Sequence, residues 1–132
     1  MGKPRFVRLA MLLTTVVMLA GCASVGERSS AAEDAARLFL QAVADGDGPA
    51  ACGALAPETE ARIDAPCAES ILDEALPAPS ATADARVYGQ RALVKFDADT
   101  VFLAVFPDGW RVVAAGCTPR GERPYDCAVQ GG

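Results

Sequence analysis

Thr100-Val101-Phe102-Leu103-Ala104-Val105-Phe106-Pro107-Asp108-Gly109-Trp110-Arg111-Val112-Val113-Ala114-Ala115 reads as a strand, a turn and a returning strand. Pro107 presets φ for a turn and Asp108-Gly109 supplies residues that tolerate the turn's unusual dihedrals, so the chain reverses here. Thr100–Phe106 is apolar on both faces, as expected for a central strand covered on each side. Upstream, Ala92, Val94 and Phe96 alternate with Arg91, Leu93 and Lys95. Ala83, Ala85 and Val87 alternate with Asp84, Arg86 and Tyr88. A period of two marks strands at Ala83–Tyr88 and Arg91–Phe96, joined at Gly89-Gln90, with Asp97-Ala98-Asp99 as the next turn. Downstream, Gly116-Cys117-Thr118-Pro119 breaks the pattern. A loop then closes at Tyr125-Asp126-Cys127 before a tail, Ala128–Gly132. The expectation is a curved antiparallel sheet of about four strands.

The segment before this sheet has a helical period. Ala32, Ala35, Ala36, Phe39, Leu40 and Val43 fall on one stripe. Ser30 followed by Glu33 fits a capping box, so the spacing predicts a helix over 30–44, stopped by Asp45-Gly46. Asp47 can cap a second helix with Pro49 in its first turn. Pro57 opens another short turn, and Asp64 or Ala65 a last helix ending before Pro77. The run Leu76-Pro77-Ala78-Pro79-Ser80 is a stiff connector between the helical and strand halves. The fold class is therefore α+β, with N-terminal helices packed on the sheet.

At the front, Lys3, Arg5 and Arg8 precede an uncharged stretch, Leu9–Ala20, and then Leu19-Ala20-Gly21-Cys22. A basic start, an apolar core too short to span a bilayer and small residues before a cysteine form an export signal with a lipobox. Residues 1–21 read as a lipoprotein signal peptide cut after Gly21. Cys22 reads as the lipidation site, carrying a covalent diacylglycerol and no other cofactor. Residues 22–29 read as a flexible tether and 30–132 as one α+β domain. The expected location is the extracytoplasmic face of the cell membrane, held by the lipid anchor.

Composition narrows the chemistry. There is no histidine, which removes Ser-His-Asp and Cys-His catalysis and imidazole metal sites. Without its leader the chain keeps 9 of 12 basic residues against 17 acidic ones, a net −8, and Lys95 is its only lysine. Such a surface disfavours nucleic acid as a partner. Cys52, Cys67, Cys117 and Cys127 form an even set, which in an exported domain reads as two disulfides. Spacing leaves three pairings open. Cys52–Cys67 and Cys117–Cys127 are the expected ones, each closing a short loop. Metal binding is disfavoured because there is neither a CxxC nor a histidine.

Four residues could form a pocket or do proton transfer: Tyr88, Asp97, Asp99 and Trp110. A buried Asp near a Tyr can move a proton when desolvation raises its pKa. The simpler reading is that turn aspartates bond their own backbone and that Trp110, with Phe39, Phe102 and Phe106, is core.

Taken together, the lipobox, the helix Ala-Ala-Arg-Leu-Phe-Leu-Gln-Ala-Val-Ala-Asp-Gly-Asp, Asp108-Gly109-Trp110-Arg111-Val112-Val113-Ala114-Ala115-Gly116-Cys117 and the final Tyr125-Asp126-Cys127 resemble small secreted lipoproteins of high-GC Gram-positive bacteria. Helices followed by a curved sheet are similar to the NTF2-like (SnoaL-like, cystatin-like) cone. That resemblance implies a non-catalytic binding or accessory role at the cell envelope, toward a small apolar ligand between sheet and helices or an envelope protein. The alternative it implies is a small isomerase- or dehydratase-type enzyme acting on a hydrophobic substrate.

Overall fold

The computed structural model describes residues 24–131. Helix α1 runs Ser24–Ala44, α2 Gly48–Gly53, α3 Pro57–Glu60 and α4 Cys67–Ser70, followed by a 3-10 turn Ile71–Glu74. Five strands follow: β1 Asp84–Tyr88, β2 Arg91–Lys95, β3 Thr100–Phe106, β4 Gly109–Arg120 and β5 Arg123–Gln130. They form one antiparallel sheet in sequence order. The signal peptide and the lipobox residues Leu19, Ala20, Gly21 and Cys22 lie outside the described residues.

Helix α1 lies on one face of the sheet. Its Ala32 and Ala36 are fully buried and let the helix backbone approach the strands, while Phe39 and Leu40 fill the space beside them. From the sheet side Val94, Val101, Leu103 and Val112 meet them, with Leu55 and Ile71 closing the edge. This helix-facing layer is a packed core. Among the described residues the five strands, both disulfides and this core form one continuous unit.

Helix α1 begins at Ser24, six residues earlier than the capping box predicts, so Ser30 is interior to the helix and 24–29 is not an extended tether. A tertiary contact accounts for the extra turn. Arg28 donates to the Gly89 carbonyl at 2.5 Å and lies 5.6 Å over the Trp110 ring. Farther along, Arg37 donates to the Ser80 carbonyl at 2.5 Å, pairs with Glu33 at 2.9 Å and covers the Phe96 ring, fastening the helix to the proline-rich connector. Asp47 caps α2 as read, accepting from the Ala50 amide at 3.1 Å. The last helix starts at Cys67, not at Asp64 or Ala65, because Pro66 stands at its N-cap in an extended conformation.

The sheet has five strands, the four read from the pattern and one more. β4 continues through Gly116 and Pro119 to Arg120, and the expected closing loop at Tyr125–Cys127 is the middle of β5. Both apparent breakers sit at irregularities that strands tolerate. Gly116 has φ +66, and Pro119 falls where the β4–β5 register shifts between Thr118 and Arg120. A second irregularity lies between β3 and β4. Phe102 pairs with Ala114 and Leu103 with Val112, so Val113 is an extra residue. Its carbonyl is not orphaned, since the Thr59 hydroxyl (3.1 Å) and the Gly131 amide (2.9 Å) donate to it. Such bulges bend a strand and deepen its twist.

Both disulfides have the expected partners. Cys52–Cys67 ties α2 to α4, and Cys117–Cys127 joins directly opposed residues of β4 and β5. They suit an oxidising, extracytoplasmic setting. Among the described residues no helix is long and apolar enough to cross a membrane.

Candidate ligand cavity

Alternation along the strands gives the sheet a second face. Ala85, Val87, Ala92, Val94, Val101 and Leu103 point to the helix, so Tyr88, Arg91, Leu93, Phe102, Ala104 and Phe106 point away from it. The middle of this outer face is apolar as well. It bears a cavity of about 830 Å³, within the range of small-molecule sites. Phe102, Ala104, Phe106 and Ala114 form its floor.

Two elements raise its walls. Past Gly116 the curled end of β5 brings Pro124 and Tyr125 over the floor, and the Tyr125 ring meets Phe102 edge-on at 5.2 Å between centroids. On the other side stand α3 and the residue before it, Ala56 to Thr59. This wall is fixed by backbone pairing. The Ala56 amide donates to Val112 O at 2.8 Å and the Val112 amide to Ala54 O at 2.9 Å. The Thr59 hydroxyl adds its bond to the bulged Val113 carbonyl.

Polar groups in the lining are few. Among the described residues Arg91 is its single cation and Glu58 its single carboxylate. They stand on opposite sides of the floor, Arg91 on β2 and Glu58 on α3 beside β4, with no salt bridge between them. The nearby Arg111 is spent elsewhere. It donates to the Gly53 and Leu55 carbonyls and to Asp108. The Asp108 carboxyl is held below its ordinary range by that bond.

None of the four residues singled out from the sequence lines this cavity, and they are not brought together. Tyr88 and Trp110 stand at the hairpin end of the sheet, and Asp97 and Asp99 at the opposite end. Tyr88 is separated from the Asp97–Asp99 turn by the length of β2, roughly 13 Å at 3.3 Å per residue. Tyr88 is 63% exposed on the outer face, whereas Trp110 packs against the helix side under Arg28. Asp97 is exposed, and its amide donates to the Ser80 hydroxyl at 3.0 Å.

Asp99 is buried, and its carboxylate accepts from the Cys117 amide at 2.9 Å and the Gly116 amide at 3.1 Å. Burial pushes its pKa up, and the backbone amides of Gly116, Cys117 and Thr100 pull it partly back. The ladder between β3 and β4 ends at Phe102 and Ala114. Beyond it, the Asp99 side chain takes the place of strand pairing for the departing β4. Both of its oxygens are engaged by backbone, which is a structural role.

Phe102 and Phe106, read as core, are the cavity's aromatic floor. They are half-buried, whereas Phe39 is fully buried. The helix–sheet interface expected to hold a ligand is filled. The site was missed because β3 reads as covered on both faces, and β5, which builds one wall, reads as a loop. The signal available was Phe102-x-Ala104-x-Phe106, a second apolar face beside Leu93. Among the described residues no cluster of three or more Cys, Asp or Glu is placed to hold a metal.

No family model, curated protein or solved structure matches this chain.

Proposed function

We propose that this chain is a lipid-anchored, extracytoplasmic binding protein that holds a small apolar ligand on the outer face of its sheet. The observation that carries this reading is the cavity. A folded chain gains by covering Phe102, Phe106 and Tyr125, yet here they line a space of about 830 Å³ without filling it. The leader supports the address, since its basic start, short apolar core and Leu19-Ala20-Gly21-Cys22 are what a lipidated export precursor needs. Two disulfides agree with export. The order of helices and sheet adds to the resemblance to NTF2-like accessory domains, which is an argument from architecture alone.

A binding role without catalysis is favoured by the lining, which contains one carboxylate and no second acid or base beside it. The rival reading, a small isomerase- or dehydratase-type enzyme, draws on one observation, the desolvated Asp99 carboxyl. That carboxyl accepts from the backbone amides of Gly116 and Cys117 and does not line the cavity.

The test is a plugged cavity. Ala104 is buried at the centre of the floor between the two phenylalanines. In the oxidised domain 24–131, an environment-sensitive naphthylamine dye should brighten on binding, and Ala104→Trp should abolish the enhancement while the circular dichroism spectrum stays unchanged. Equal enhancement in the plugged variant would place the apolar site elsewhere and overturn the proposal.

A further inference from the structure

The floor of the cavity is apolar, its walls add the polar side chains of Thr59, Tyr125 and Gln130, and what stands at the β2 edge is a guanidinium. Of the eight described arginines four have a partner among the described residues, and Arg62, Arg120 and Arg123 join Arg91 in having none; of these four only Arg91 lines the cavity. Arg28 donates to Gly89 O, Arg37 to Glu33 and Ser80 O, Arg86 to Asp84, and Arg111 to Asp108 and two carbonyls. Arg91 meets no acceptor among the described residues, although it lines the cavity. Its cross-strand neighbours are Tyr88 on β1 and Ala104 on β3, neither of them an acid. Glu58, the one acid of the lining, is on the far wall, with β3 and β4 between the two. Across three lateral spacings, roughly 14 Å, it does not pair with the guanidinium directly.

A planar guanidinium offers paired N–H donors that match a carboxylate or phosphate oxygen pair. We infer that the cavity's ligand is an amphiphile, an apolar chain or ring system lying over Phe102, Phe106 and Tyr125 with an anionic head group held by Arg91 at the β2 edge. The charge pattern sets the orientation. A head group at Arg91 is far from Glu58, whereas a head group at the α3 wall meets that carboxylate and is repelled. The floor between the two edges presents only apolar side chains, so the chain of the ligand spans it without stranding a polar group. This rests on the reading of the cavity as a ligand site and adds the chemistry of what enters it.

The experiment compares three probes that share a ten-carbon chain, namely decanoic acid, decyl phosphate and decanol. They are titrated calorimetrically into the oxidised domain 24–131 and into Arg91→Gln. The acid is expected to bind the parent domain about tenfold more tightly than the alcohol, the size of a charge-assisted hydrogen bond. Decyl phosphate is expected to show a similar or larger preference. Arg91→Gln should bring acid, phosphate and alcohol to near-equal affinity by weakening the two anions. Alcohol and acid binding the parent equally overturns the anionic-head inference alone, and so does a preference that survives in Arg91→Gln. Binding of none of the three overturns the cavity reading as well. Since Arg91 is exposed on its strand, loss of the fold is not expected, and an unchanged circular dichroism spectrum of Arg91→Gln verifies it directly.

Discussion

At Asp99 one carboxylate does the work of a missing stretch of ladder. Truncation to Ala leaves the Gly116 and Cys117 amides without acceptors and should cost about 1–3 kcal/mol in urea unfolding. Asp99 also gives stability a pH dependence of definite sign. Its folded pKa is raised above the ordinary 3.8, so the native state holds its proton longer than the unfolded chain does. The stabilisation from this group is complete below that ordinary value and is lost as pH rises through the folded pKa. Relative to Asp99→Asn, the parent should therefore lose unfolding free energy on going upward from about pH 4, and a difference independent of pH would contradict the assignment. Gly116, which Asp99 holds, has φ +66, and a Cβ there would stand 2.9 Å from the Ala128 Cβ and 2.7 Å from Leu76 Cδ2. Gly116→Ala should destabilise by about 1–3 kcal/mol through strain and overpacking. The sequence shows Asp99 as a turn aspartate. Its partners lie 17 and 18 residues away, a separation that turn chemistry cannot reveal.

Among the elements, the alternation of β1, β2 and β3 and the turn at Pro107-Asp108-Gly109 were legible because each depends on local pattern. β5 was not. Its residues Arg123–Gln130 are mostly exposed and carry no apolar alternation, and what holds them is pairing with β4 and the Cys117–Cys127 bond. The early start of α1 was hidden for the same reason, as Arg28 fastens it through Gly89 and Trp110. A consequence can be checked at β5. Replacing Cys117 and Cys127 together by Ser should loosen the wall that carries Tyr125 and weaken dye binding, whereas removing Cys52–Cys67 should cost about 3 kcal/mol of stability with dye affinity kept in the folded fraction. The junction of α2 with α4 admits one further test. A Cβ on Gly48 would run into the Ala68 backbone carbonyl, which cannot swing aside as a side chain can. Gly48→Ala should therefore lower the melting temperature more than Gly116→Ala does.

For the whole molecule, the layer order was legible: helices, then an antiparallel sheet, stapled by two short-range disulfides. The position of the cavity was not. Sequence periodicity shows which side chains share a face, and it does not show which face a helix covers. α1 covers the face of Val94 and Leu103, and the aromatic face of Phe102 and Phe106 is left lining the cavity. The proposed anchor is a separate matter, read from Leu19-Ala20-Gly21-Cys22 and the residues before it. Cys22→Ser should abolish labelling by radioactive fatty acid and move the chain out of the detergent-extracted membrane fraction. Continued labelling would contradict the lipobox reading. The most direct measurement of the outer-face site is amide and aromatic NMR shift mapping of the oxidised domain 24–131 during titration with decanoic acid. Shifts concentrated at Arg91, Phe102, Ala104, Phe106 and Tyr125, with Asp97, Asp99 and the buried Phe39 unmoved, are the expected result. Shifts confined to the helix–sheet interface or to the Asp97–Asp99 turn would contradict it.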